Sequence, residues 1–146
     1  MVITSHDGFD PPSWGCERRP SVFHVLAELG EIDQDVLAAS FAQHYDFQRG
    51  YGPGTGRLLH EILDGVPWQH AVASTFDGRG SYGNGAAMRV APLGAYFGSD
   101  LDSAADQATR SAAVTHAHPG AIAGAIAVSG TRCMQARQRC EVVSSP

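Results

Sequence analysis

Apolar residues recur at helical spacing along most of the chain, and nowhere do they alternate over the length of a strand. From Ser21 the stripe Val22, Phe23, Val25, Leu26 and Leu29 predicts a helix that Gly30 closes. Asp33 suits the N-cap of a second helix, whose apolar face carries Val36, Leu37, Phe41 and Tyr45. Four glycines and Pro53 make a loop of residues 49–56, with Thr55 placed to cap a helix over 57–64 that Gly65 stops. Pro67 suits the first turn of a short helix reaching about Thr75. The next helix, from Ala86 to about Phe97, contains Pro92, which must kink or split it. Asp100 or Asp102 opens another that runs to about Thr115. His118 is placed to cap the last, with Pro119 at its first position and Ile122, Ile126 and Val128 following.

The faces of these last two helices are mostly Ala, Gly and Ser, and small side chains let helix axes approach closely. The predicted class is all-α, with helices of about three turns joined by short loops. Both ends depart from the pattern. Residues 1–20 show turn chemistry, as in Asp7-Gly8-Phe9-Asp10-Pro11-Pro12-Ser13, and no periodicity. From Gly130 the apolar repeat stops, and residues 131–140 gather positive charge. The expected organisation is an irregular segment 1–20, a helical core 21–129 and a divergent tail 130–146.

At 146 residues the chain is at most one ordinary domain, and 43% hydrophobic residues suffice for a core. A net charge of −5 argues against a general nucleic-acid binder. The longest mostly apolar run, Gly120 to Val128, is too short to cross a bilayer, and no basic-then-apolar segment opens the chain. The expectation is a soluble, cytoplasmic protein. Cys16, Cys133 and Cys140 are odd in number and lack CxxC spacing, which predicts unpaired thiols.

The candidate chemistry lies in Gly78-Arg79-Gly80-Ser81-Tyr82-Gly83-Asn84-Gly85, just before the helix expected at Ala86. Glycines admit positive φ and bring backbone N–H groups near a ligand, and a helix N-terminus adds unpaired donors suited to an anion. Tyr82 offers a flat face to a sugar or base, and Asn84 a carbonyl and an amide. The segment before the loop is helical rather than a strand, which excludes a Rossmann site. Gly85-Ala86-Ala87 lacks the Lys-Ser/Thr of a P-loop. On composition alone, a ligand-binding loop and a structural turn both remain open.

The wording of the sequence goes further. Gly80-Ser81-Tyr82-Gly83-Asn84-Gly85-Ala86-Ala87-Met88-Arg89, then Val114-Thr115-His116-Ala117-His118-Pro119, closely resembles the ADP-ribosylglycohydrolase family. Gly50-Tyr51-Gly52-Pro53-Gly54-Thr55 upstream is similar too, and the resemblance runs from about Ser21 to about Val128. It implies part of an all-α bundle that hydrolyses the bond joining ADP-ribose to a protein side chain or related acceptor. It implies that Gly80, Ser81, Tyr82, Gly83, Asn84, Gly85 and Met88 line the ADP-ribose pocket, with His116 beside them. The implied partner is ADP-ribose or an ADP-ribosylated protein, with no nucleic acid and no membrane.

The resemblance further implies two magnesium ions held between an N-terminal Thr-Asp-Asp segment and a C-terminal Asp-x-Asp-Thr segment. Hard cations need several converging carboxylates. Neither segment is present: Thr4-Ser5-His6-Asp7 is a faint echo of the first, and Glu141 is the only acid in residues 131–146. The expectation is therefore a truncated, impaired hydrolase that does not bind magnesium by itself, unless a complementing chain supplies the ligands. Its alternatives are a non-catalytic ADP-ribose-binding module and a non-functional remnant of a longer hydrolase.

Other acids have simpler explanations. Asp33, Asp35, Asp100, Asp102 and Asp106 fall at helix starts, where the dipole favours them. Asp77, beside the glycine loop, is the acid retained as a pocket contributor. His24, His44, His60 and His70 are assigned to helix surfaces, and Arg89 to either a phosphate or an internal salt bridge. Ser81 lacks a nucleophile elbow, and the cysteines lie in the divergent ends, so nucleophilic catalysis has no sequence support.

Overall fold

Side-chain capping sets three of the helix starts. The computed structural model describes residues 18–143, and among these it contains eight α-helices, one short 3-10 turn and no strand. The helices are α1 (Arg18–Leu29), α2 (Gln34–Gln43), α3 (Pro53–Leu63), α4 (Trp68–Ala73), α5 (Gly85–Arg89), α6 (Ala91–Phe97), α7 (Leu101–Ala113) and α8 (Pro119–Val143). The all-α class expected from periodicity is the observed one.

Asp33 caps α2 by accepting the Val36 N–H at 2.9 Å, and Asp100 caps α7 by accepting that of Ser103 at 3.0 Å. His118 caps α8 as anticipated, its Nδ1 accepting the Gly120 N–H at 3.0 Å. Pro92 splits the helix expected from Ala86 to Phe97 into α5 and α6. Four expectations need correction. Phe23 and Leu29 of the expected α1 stripe are exposed. Thr55 is not a cap: α3 opens two residues earlier, with Gly52 at the N-cap and Pro53 at N1. Val36 is not on the buried face of α2, which is formed by Leu37, Ala38, Phe41 and Ala42. The helical pattern does not stop at Gly130, because α8 continues to Val143 and buries Ser129 and Cys133. Arg, Gln, Met and Ala all favour helix, so residues 131–139 extend it without an apolar repeat.

Two kinds of packing make the core. Val22, Leu26, Leu37, Phe41, Leu58 and Leu59 bring large apolar side chains from α1, α2 and α3. Ala104, Ala108 and Ala112 on α7 and Ala121, Ala125 and Ser129 on α8 make a small-residue interface instead. Ser129 Oγ donates across it to the Ala104 carbonyl at 3.2 Å. On α6, Gly94 has no room for a side chain: a β-carbon there would overlap the Ser129 carbonyl oxygen and stand 2.9 Å from the Cys133 nitrogen. Cys133, a free and buried thiol, donates to the Gly98 carbonyl.

Arg89 is buried and does not reach the expected phosphate site. It lies outside the glycine-loop cavity, with its guanidinium 4.6 Å above the Phe41 ring. Its Nε donates to Ser111 Oγ at 3.3 Å, and its Nη2 donates to the Ser111 carbonyl in the last turns of α7. A cation at that end of a helix meets the negative end of the dipole. No helix among the described residues is long and apolar enough to cross a membrane.

Candidate functional site

The loop after α4 is shaped by left-handed backbone. Phe76, Asp77 and Gly78 take φ of 53°, 56° and 81° in succession, and Gly80 follows at 75°. The glycines adopt this region freely, but a residue with a β-carbon gives up about 1–2 kcal/mol to stay there. Backbone bonds hold the turn: Arg79 N–H donates to the Phe76 carbonyl and Gly80 N–H to the Thr75 carbonyl, both at 3.1 Å. Gly80 then passes beneath the segment joining α7 to α8. A β-carbon on Gly80 would stand 2.6 Å from the His118 nitrogen and 2.8 Å from the Ala117 carbonyl carbon, so only glycine fits.

Beyond Gly80 the chain opens into a cavity of about 600 Å³. Gly80, Ser81, Tyr82, Gly83, Asn84, Gly85, Met88 and His116 all line it, so the fold brings all eight sequence-predicted residues to one place. Ser81 is buried, and its Oγ accepts the Gly83 N–H at 3.3 Å. Tyr82 is 71% exposed and meets His118 edge-on, with ring centroids 4.8 Å apart. His116 is 2% exposed, and its Nδ1 lies 2.7 Å from the Thr115 hydroxyl. Its Nε2 is the atom nearest to Gly83, 3.2 Å from where a β-carbon on that glycine would stand. The helix that opens at Gly85 has only five residues, so its dipole is a smaller asset than the sequence implied.

The wall that sequence reasoning missed comes from α3. Gly52, Pro53, Gly54 and Thr55 line the same cavity. Pro53 at N1 lacks an N–H, and helix geometry leaves the N–H groups of Gly54 and Thr55 without an intrahelical partner. The signal was present as Gly-Pro-Gly, a helix start rather than a plain loop. Phe76 was also missed. Its ring packs on Gly54, where a β-carbon would come within 3.1 Å, yet the residue is 54% exposed and lines the cavity. Arg79 and His118 complete the lining. Asp77 stands on the far side of Phe76, in an adjoining groove of about 410 Å³ with Arg57, Ser74 and Thr75.

Among the described residues, no carboxylate lines the 600 Å³ cavity. Among the described residues no group of three or more His, Cys, Asp or Glu gathers to hold a metal. This donor set does not fit the magnesium pair that the resemblance implies. Thr4-Ser5-His6-Asp7 lies outside the described residues, as do Cys16 and residues 144–146. His24, His44, His60 and His70 are all exposed.

The comparisons with known proteins agree with one another. The human protein ADP-ribosylhydrolase ARH3 (Homo sapiens) is 33% identical over 139 residues, covering 82% of this chain and 38% of that protein. The Bos taurus protein of the same name is 40% identical over 107 residues, covering 66% of this chain and 28% of that protein. An uncharacterized protein of Archaeoglobus fulgidus is 38% identical over 81 residues, covering 56% and 25% respectively. The chain thus spans less than two fifths of the length of these relatives. The family model described as ADP-ribosylglycohydrolase matches residues 21–142, past the break in pattern at Gly130 and nearly to the end of α8. With that match running from α1 through both walls of the cavity, the chain belongs to the ADP-ribosylglycohydrolase family.

Proposed function

We propose that this chain binds the ADP-ribose moiety of an ADP-ribosylated protein or related acceptor in the 600 Å³ cavity. A pocket of that volume is within the range used for small ligands. The observation that carries the reading is the chemistry of the lining. It joins the glycine-loop backbone, the open N-terminus of α3, the Arg79 cation and two exposed aromatic rings, with no carboxylate among the described lining residues to repel a diphosphate. The diphosphate suits the amides of Gly54 and Thr55, the base suits the rings of Tyr82 and Phe76, and His116 suits a ribose or phosphate oxygen.

The family's reaction is hydrolysis of the glycosidic bond to ADP-ribose. Hydrolysis by carboxylates alone needs two of them facing each other across that bond, and the described residues of the cavity lining include none. Our reading is a binder whose own turnover is weak or absent, in which magnesium ligands would come from a complementing chain.

Titration calorimetry with ADP-ribose tests the binding. Gly83→Val places branched bulk against His116 Nε2 and Ser81 Oγ and should abolish the heat. No heat from the unmodified chain would end the proposal. Incubation with magnesium and an ADP-ribosylated peptide tests the second half, since release of ADP-ribose in proportion to added chain would make it a hydrolase.

A further inference from the structure

Thr115 breaks a rule that other threonines of this fold obey. Thr75, Thr109 and Thr131 return their hydroxyl protons to the carbonyl four residues back, on Ala71, Ala105 and Ala127, at 2.8 to 3.0 Å. For Thr115 the corresponding carbonyl is that of Ser111, and it receives the Arg89 guanidinium. The Thr115 N–H goes to the Ala112 carbonyl at 3.1 Å, and the hydroxyl goes to His116 Nδ1 at 2.7 Å. Both side chains are buried.

One proton lies between that oxygen and that nitrogen, and either can supply it. Were the imidazole to donate Nδ1–H, the hydroxyl proton of Thr115 would need a second acceptor in a buried position. Its helical candidate is a carbonyl already facing a positive charge. When the hydroxyl donates instead, both it and Nδ1 are satisfied, as buried polar atoms require. We infer that Thr115 is a positioning residue that holds neutral His116 in its Nε2–H tautomer.

Nε2 is the ring atom nearest to Gly83 at the cavity. His116 then presents a donor to the cavity rather than a lone pair, which selects a phosphate or ribose oxygen over a ligand donor group. Arg89 acts at one remove, by engaging the carbonyl that would otherwise take the threonine's proton. Only this ligand-facing step rests on the ADP-ribose reading; the tautomer itself does not.

The test separates the two. Long-range proton–nitrogen NMR on the ligand-free chain at mildly alkaline pH reads the His116 tautomer, with the signal assigned by its loss in His116→Asn. The expected spectrum has Nε2 protonated and Nδ1 bare. Thr115→Val, isosteric but without a donor, should move population to the Nδ1–H form and weaken ADP-ribose binding roughly tenfold, and Thr115→Ser should restore both. A wild-type spectrum with Nδ1 protonated overturns the inference whether or not ADP-ribose binds. Unchanged affinity in a Thr115→Val chain with a shifted tautomer overturns its ligand-facing half. An Nε2–H spectrum without ADP-ribose binding upholds the tautomer and removes the proposed function instead.

Discussion

The ring of Tyr82 lies against the backbone of Gly120 with no space for a side chain between them. A β-carbon at residue 120 would overlap Cε2 of the ring and stand 3.1 Å from Cδ2. His118, edge-on to the same ring, holds its other approach. A phenol that is mostly exposed is thereby fixed in direction by a glycine and a capping histidine of α8.

Gly120→Ala should uncouple binding from stability. Alanine is the better helix former, by roughly 0.5–1 kcal/mol, so the melting temperature should hold or rise. The displaced ring no longer stacks on a base, and ADP-ribose affinity should fall roughly tenfold. Calorimetry and a thermal melt on the same preparation check the opposite signs.

Phe76 carries a cost in its backbone and a use in its ring. Phe76→Ala and Phe76→Gly both remove the ring, and both should weaken ADP-ribose binding. They differ in backbone alone, and at a φ of 53° glycine is the relaxed residue. The glycine variant should be the more stable of the two by about 1 kcal/mol in urea unfolding.

Gly94→Ala addresses the crossing of α6 and α8. The added methyl meets backbone atoms of Ser129 and Cys133, which no rotamer change can move. The helices must separate, at a cost of about 3 kcal/mol in chemical denaturation. The distant Asn84 side chain, exposed in the cavity lining, gives a control site where alanine should leave stability nearly unchanged.

Asp100 sets an acid dependence. The Ser103 N–H and then the Ser103 hydroxyl, at 3.0 and 2.7 Å, hold its carboxyl below the ordinary value of 3.8. The folded chain therefore favours the ionised form. The stabilisation is complete above the unfolded pKa and disappears as pH falls through the lowered folded value. The melting-temperature gap between wild type and Asp100→Ala should be open at neutral pH and close on acidification below 3.8.

What was legible in the sequence was local. Asp33, Pro92 and His118 act through atoms a few residues away, and their chemistry alone gives their roles, while for α7 it leaves Asp100 and Asp102 both open. Val36 was misplaced because Ala38 and Ala42 are apolar too weakly to mark a face, and the real stripe runs through them. The extension of α8 is not visible in apolar periodicity, because residue propensity and one buried contact at Cys133 are enough to carry it. Phe76 and the α3 wall were illegible for another reason. Their place in the cavity depends on a left-handed turn and a helix start meeting in space, a relation between segments some twenty residues apart that no single window contains.

The 25 residues of α8 make a rod about 37 Å long, and among the described residues its buried contacts lie toward one end. Its cap at His118, its wedge against Tyr82 and its buried crossings at Ala125, Ser129 and Cys133 lie in the first fifteen positions, while Met134, Gln135, Gln138 and Arg139 are exposed. Deuterium should therefore enter this one helix as a gradient, reaching the amides of residues 135–139 well before those near the cavity. The rim of the cavity is held by the slow end of that gradient.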